Sequence, residues 1–267
     1  MMQKPKALTP RAKPAFDWTR PQGESASSRK PLPLRLIGLG AVLAMLCALY
    51  LGPLQADATA VVAAKKVLPV YSVEREDPVI SVTFDASWGG DKTMKILDLL
   101  DEYNAKATFF LVGIWVDKYP ELVKAIAERG HEIGNHTFSH RKFDRMGAEE
   151  LRREIFSCEE AISSVSDAPV RYIRPPEGQM SDTMRQVIGD LDYRVILWDV
   201  DTRDWAHTPP ETISRHILDT VQAGDIILMH DFIGYDSPTP EALRLVIPAL
   251  LARGFRFVTV GELVEAE

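Results

Sequence analysis

Cysteine is scarce in this 267-residue chain: there are two, Cys47 and Cys158, in stretches of opposite character, which excludes a disulfide framework. Positive charge is scarce beyond the start. Residues 1–35 carry eight Lys/Arg against two Asp/Glu, and the remainder carries 23 against 36, a formal charge near −13. So acidic a body repels phosphate backbones, which argues against a nucleic-acid partner. No internal repeat is visible, and apolar runs long enough to cross a bilayer are absent except for one. Leu36 to Leu51 has no charged side chain, and Leu34 to Leu54, with Arg35 snorkelling, reaches the ~20 residues that a spanning helix needs.

That run follows a basic head, as the positive-inside rule requires of a membrane segment. The expected organisation is a disordered basic cytoplasmic tail at 1–33, an anchor at 34–54, a stalk at 55–77 and a folded domain at 78–267. A short strand at Val67 to Val73 is allowed for within the stalk. Ala58-Thr59-Ala60 has the small-x-small pattern of a signal-peptidase site, so cleavage after Ala60 and secretion is the alternative to a retained single-pass anchor. Either route places the domain outside the cytoplasm. Cys158 is then alone in it, and a monomer is expected.

From Pro78 onward, β-branched apolar runs alternate with helical spacing. Strands are expected at 79–84, 107–112, 131–135, 170–173, 194–198, 225–229 and 256–260. Helices are expected at 91–103, 119–129, 148–164, 181–191, 210–222 and 240–252. Alternation of this kind implies an α/β fold of parallel strands with right-handed crossovers, and seven strands can curl into a (β/α)7 barrel. An open doubly wound sheet is the alternative. In both, ligands gather at the carboxyl ends of the strands, where the unusual polar residues of this chain fall.

Five clusters occupy those ends. The first expected strand ends in Thr83-Phe84-Asp85, delivering a carboxylate into a glycine-containing loop. The third is followed by His136-Thr137-Phe138-Ser139-His140, two imidazoles at a spacing that can converge on one metal ion. Arg174-Pro175-Pro176-Glu177-Gly178 fixes an extended backbone and then releases it, which can aim a backbone N–H. Trp198 to Trp205 supplies acids that can orient a histidine and indoles suited to sugar rings. Leu228-Met229-His230 sets an imidazole at the mouth of an apolar strand. Alone, each has a plain structural explanation, such as a capping Asp, loop punctuation or a satisfied core His.

Together and in this order they resemble the polysaccharide deacetylases of the NodB-homology type, carbohydrate esterase family 4, from Pro78 to about Val264. The resemblance implies a distorted (β/α)7 barrel and the hydrolysis of an acetamide on a hexosamine. It implies a divalent metal, zinc with cobalt or nickel as alternatives, held by His136 and His140. It implies Asp85 as general base, His230 as general acid, Arg174 holding the base and Asp204 orienting His230. Trp205 and Leu228 would shape the acetyl pocket, and the backbone N–H near Glu177 would complete an oxyanion site.

Departures from the pattern bear on this expectation. Ala86 stands where the family commonly has a second, metal-binding aspartate, which weakens the metal site; Asp91 is a remote substitute. Glu177 stands in place of a usual Tyr, and Arg141 in place of a commoner Pro. The Asp-x-Ser-Trp-Gly form at Asp85 to Gly89 resembles the spore-former branch and points to peptidoglycan, or otherwise a chitin-like glycan, as the cell-wall partner. The alternatives are a non-catalytic glycan-binding or sporulation-assembly protein with a decayed metal site, and an O-acetyl esterase on the same fold.

Overall fold

The computed structural model describes residues 67–142, 146–231, 234 and 236–265. The expected tail, the apolar run at 34–54 and most of the stalk lie outside the described residues. Among the described residues no helix is long and apolar enough to cross a membrane.

The strands are β1 (Val79–Ala86), β2 (Ala107–Leu111), β3 (Glu132–Asn135), β4 (Tyr172–Ile173), β5 (Arg194–Val195), β6 (Val200–Asp201), β7 (Ile226–His230) and β8 (Arg256–Phe257). The helices are α1 (Thr93–Glu102), α2 (Gly113–Lys118), α3 (Pro120–Glu128), α4 (Ala148–Ser163), α5 (Asp182–Leu191), α6 (Pro210–Thr220), α7 (Thr239–Ala252) and α8 (Val260–Glu265). Every strand pairing is parallel, in the order β5-β4-β3-β2-β1-β7-β6, with β8 on the first residues of β1. All eight residues of β1 are buried, as befits a central parallel strand with helices on its faces. The helices bury one stripe each: α1 does so through Thr93, Ile96, Leu97, Leu99 and Leu100. At α5, Ser181 accepts a hydrogen bond from the Met184 N–H at 3.1 Å, an N-cap that offsets an otherwise unpaired donor.

The parallel alternation expected from the pattern is present; the distorted seven-stranded barrel is found as an incomplete one with an additional strand. The sheet has eight strands and is a half-barrel, with β5 and β6 at its ends. The reason lies in 194–201, where one strand was expected over 194–198: its first residues pair with β4 and its last with β7, with no crossover helix between. One chain run therefore serves both ends of the sheet. Val70 lies alongside it, donating to the Val195 carbonyl at 2.9 Å and accepting from the Leu197 N–H at 2.8 Å. Ser72 bridges Asp225, so the end of the expected stalk packs on the folded domain rather than preceding it.

The strand expected over 256–260 is likewise shorter. Thr259 and Glu262 form a reciprocal capping box, each backbone N–H bonded to the other's side chain at 3.0 and 3.1 Å, and this starts α8 at Val260. The short helix α2 was not expected. Its Gly113 lies where a Cβ would meet the Phe138 ring at 2.3 Å, so only glycine allows that approach.

At the base of β7, away from the strand ends that carry the clusters, two carboxyls lie close together. Asp225 accepts from the Gln222 N–H at 2.7 Å, and Asp199 from the Ile226 N–H at 3.1 Å. Burial first, and neighbouring Asp199 after it, push Asp225 up to about 7. A folded-state pKa raised above the ordinary value of 3.8 means the folded protein binds the extra proton. The resulting stabilisation is fully present below pH ~4 and is lost as pH rises to about 7. Thermal unfolding across this range should show wild type losing stability relative to Asp225→Asn as pH rises; parallel curves would contradict the shared-proton description.

Candidate active site

The register of the sheet brings the two outermost candidates together. Asp85 on β1 and His230 on β7 are direct partners across adjacent strands, and β1 lies between β2 and β7. His136 follows β3, Arg174 follows β4, and Asp204 lies in the turn after β6, so all nine expected site residues fall on the carboxyl side of the sheet or within its adjoining loops.

Arg174 is fully buried and spends its guanidinium on four oxygens. It donates to Asp85 Oδ1 at 2.8 Å, to Thr83 Oγ1 at 2.8 Å, and to the carbonyls of Leu197 at 3.0 Å and Ile196 at 3.3 Å. Its face lies 4.1 Å from the centre of the Phe110 ring. Burial alone would raise the pKa of Asp85; Arg174, then His136 and His230, outweigh it and hold the carboxyl below its ordinary range. Asp85 is therefore an anion aimed from a dry strand end into the cleft.

His136 is buried, and its Nδ1 faces the Arg174 carbonyl at 2.7 Å. A carbonyl only accepts, so Nδ1 carries the proton and Nε2 presents a lone pair. That Nε2 lies 3.4 Å from Asp85 Oδ2 and has no hydrogen-bond partner. Burial lowers the pKa of His136 to about 4, so the ring is neutral. His140 packs against it at 4.9 Å between ring centres, and burial lowers its pKa too. The loop between them is contorted: Thr137 and His140 have φ of 66° and 55°. Thr137 is β-branched, so this left-handed conformation persists only where surroundings impose it. Glu154 on α4 supplies the constraint, accepting from the Ser139 N–H at 2.8 Å and hydroxyl at 2.7 Å.

His230 donates from Nδ1 to Asp204 Oδ1 at 2.8 Å. Asp204 is itself buried and also accepts from the backbone N–H of His230 at 2.7 Å, the N–H of Trp205 at 2.9 Å and the hydroxyl of Thr239 at 2.8 Å. Burial opposes the charged imidazole, but Asp204, by hydrogen bond and by charge, raises the His230 pKa above its ordinary value. Thr239 and Glu154 were not singled out from the sequence; nothing in the local pattern distinguishes them from ordinary helix residues.

Asp85, His140, Glu177, Trp205, Leu228 and His230 line one cleft of about 410 Å³, together with Trp198 and Asp201. His136, Arg174 and Asp204 stand behind them, buried. Glu177 has φ 56°, a strained position at the rim, and its carboxylate meets Lys142 at 2.9 Å. Gly178 after it also has positive φ, and a Cβ there would meet Trp198 at 2.9 Å.

Whether these residues suit a divalent ion turns on the donors. Two imidazoles are present, one with a buried unpaired lone pair, but Ala86 is packed in the apolar core and supplies no carboxylate. Asp91 does not substitute for it, being exposed and absent from the cleft lining. Among the described residues no group of three His, Cys, Asp or Glu comes together as a metal cage. The site thus fits an ion through two imidazoles, without the third protein ligand.

Residues 72–196 match the family profile for polysaccharide deacetylase. A peptidoglycan-N-acetylglucosamine deacetylase of Bacillus cereus is 36% identical over 196 residues, spanning 73% of this chain and 92% of that protein. The chain belongs to the polysaccharide deacetylase family. A solved peptidoglycan N-acetylglucosamine deacetylase superposes with a TM-score of 0.70 at 34% identity, covering 73% of this chain and 92% of that one. A pseudoenzyme of carbohydrate esterase family 4 from Bacillus anthracis superposes with a TM-score of 0.69 at 29% identity, covering 73% and 68%. Membership makes this chain one of a family of hydrolases on a parallel half-barrel.

Replacing Asp204 with the isosteric Asn removes the charge that raises His230 and leaves burial dominant. In Asp204→Asn the His230 imidazole should titrate at lower pH than in wild type, read by NMR of the ring protons. An unchanged midpoint would show that Asp204 does not set it.

Proposed function

We propose that this protein removes acetyl groups from N-acetylated hexosamines of a cell-wall glycan, with peptidoglycan as the substrate class. The single observation that carries this reading is the pairing of an ionised Asp85 with a proton-bearing His230 across one cleft, each locked by its own buried partner. The similarity to peptidoglycan deacetylases supports the choice of polymer.

Asp85, held as an anion, accepts a proton from a water, and the water oxygen adds to the acetamide carbonyl carbon. The C–N bond then breaks as His230 delivers its proton to the departing nitrogen, giving acetate and a free amine. Arg174 and Asp204 are positioning residues: one fixes the carboxylate's orientation and charge, the other the tautomer and charge of the imidazole. The backbone at Glu177 is the candidate donor to the oxyanion, and Trp205 and Leu228 the walls around the acetyl methyl. His136 and His140 are the residues that would hold a divalent ion, zinc, cobalt or nickel, which when bound would supply Lewis acidity to the water and the carbonyl.

A second reading rests on Ala86 and on the likeness to a pseudoenzyme: the same cleft would bind glycan without turning it over. We also place the domain outside the cytoplasm, tethered by the apolar run at 34–54.

Acetate release from peptidoglycan fragments separates the two readings. Wild type should release acetate, and Asp85→Asn or His230→Ala should lower the rate by about 10²–10⁴; no release with any added zinc, cobalt or nickel would favour the binding protein. Calorimetric titration of chelator-stripped protein should show weak zinc binding that either His136→Ala or His140→Ala abolishes. Ala86→Asp, if the carboxylate reaches the same ion, should tighten it by more than about tenfold; unchanged affinity in a folded variant would place residue 86 out of reach.

A further inference from the structure

The reacting residues are bordered by two grooves, not one. The first runs past Glu177, Trp198 and Asp201; the second, of about 420 Å³, is lined by Ser87, Trp88 and Gly234. Asp85, His140, Trp205 and His230 line both, so the chemistry sits where they meet. None of the roles assigned above involves Ser87, Trp88 or Gly234.

Trp88 is 68% exposed, the most exposed large apolar side chain among the described residues. An indole left in water is the expense a fold avoids unless a ligand covers it. Its loop, moreover, is held firmly. The Gly89 carbonyl accepts from the buried Trp115 indole at 2.9 Å, and the Gly90 carbonyl from the Thr93 N–H at 3.3 Å. A Cβ on Gly90 would meet Leu122 at 2.5 Å, so the loop lies tight on α3. Trp88 meets His140 in an edge-type contact, at 5.6 Å between ring centres. A hydrogen-bonded loop thus presents an indole beside the reaction centre, in a groove whose lining does not include Glu177.

We propose that Trp88 is a specificity-determining platform that stacks on the apolar face of a neighbouring pyranose ring, so that the cleft takes an internal sugar of a glycan chain with residues on both sides of it. Sugar rings present axial C–H groups to aromatic faces, and an uncharged stacking surface suits a hexosamine better than a phosphate or a carboxylate. Continuity of this groove with the reacting residues selects a glycan over an unrelated partner. The inference rests on the glycan-deacetylase reading and adds to it a preference for length.

The test compares the dimer and the hexamer of N-acetylglucosamine on the full-length protein, by calorimetric binding and by acetate release. Wild type should bind hexamer more tightly than dimer; Trp88→Ala should reduce that ratio by about tenfold, and Trp88→Phe should restore most of it. Trp88→Gln serves as a second variant should the alanine form fail to fold, judged by circular dichroism, and carries the same expectation. An unchanged ratio, an equal loss for both oligomers, or no binding of either oligomer by wild type would overturn the proposal. Should wild type release no acetate while the binding ratio still collapses in Trp88→Ala, the hydrolase reading fails and the platform stands.

Discussion

The site depends on one buried ion pair, Arg174 with Asp85. A guanidinium with no exposed surface is costly unless its donors find acceptors, and here it makes four hydrogen bonds, to one carboxylate, one hydroxyl and two main-chain carbonyls. Those carbonyls belong to 196 and 197, the run that joins the two ends of the sheet. The pair therefore ties the central strand to the seam of the half-barrel. The Arg174 carbonyl, at the same time, receives the His136 proton and so determines which nitrogen of that ring is left open.

A second network, centred on Asp204, repeats this logic for the opposite charge. A carboxylate with no exposure accepts from the main chain of His230 and Trp205, from the His230 ring and from Thr239. Backbone donors fix its position, leaving it free of rotational choice when it orients the imidazole. One site thus holds a carboxyl shifted down beside an imidazole shifted up, because each charged form is favoured against burial by a different partner. Ala86 shows the limit of the same design: the residue next to Asp85 on the strand belongs to the apolar core, so a divalent ion would find imidazoles there and no adjacent carboxylate from position 86.

Much of this was legible before any coordinates. Apolar runs at 79–84, 107–112 and 225–229 became the three long central strands, because buried parallel strands leave a continuous β-branched signature. The clusters after Phe84, Asn135, Ile173, Asp201 and Met229 converged as their order implied. What escaped detection was set by tertiary contacts. The 194–198 run reads as one strand, yet only 194–195 pair with β4, and a separate strand at 200–201 pairs with β7. A short strand at Val67 to Val73 was allowed for, but not its partner: Val70 bridges Ile196 at the seam. Glu154 and Thr239 look like any helical residues until the loops they hold are in place. The start of α8 was readable, since Thr259 and Glu262 have capping-box spacing, but the β-branched run before it masked the signal.

The pairing of Asp85 with His230 across β1 and β7 has a wider consequence. Neighbouring strands stand about 4.8 Å apart, so the backbones of Asp85 and His230 are spaced by a repeat distance of the sheet rather than by the conformation of any loop. The mouth of the cleft can lengthen, shorten or change its residues over evolutionary time without retuning that separation. A scaffold of this kind lets polymer preference drift while the reaction geometry stays constant.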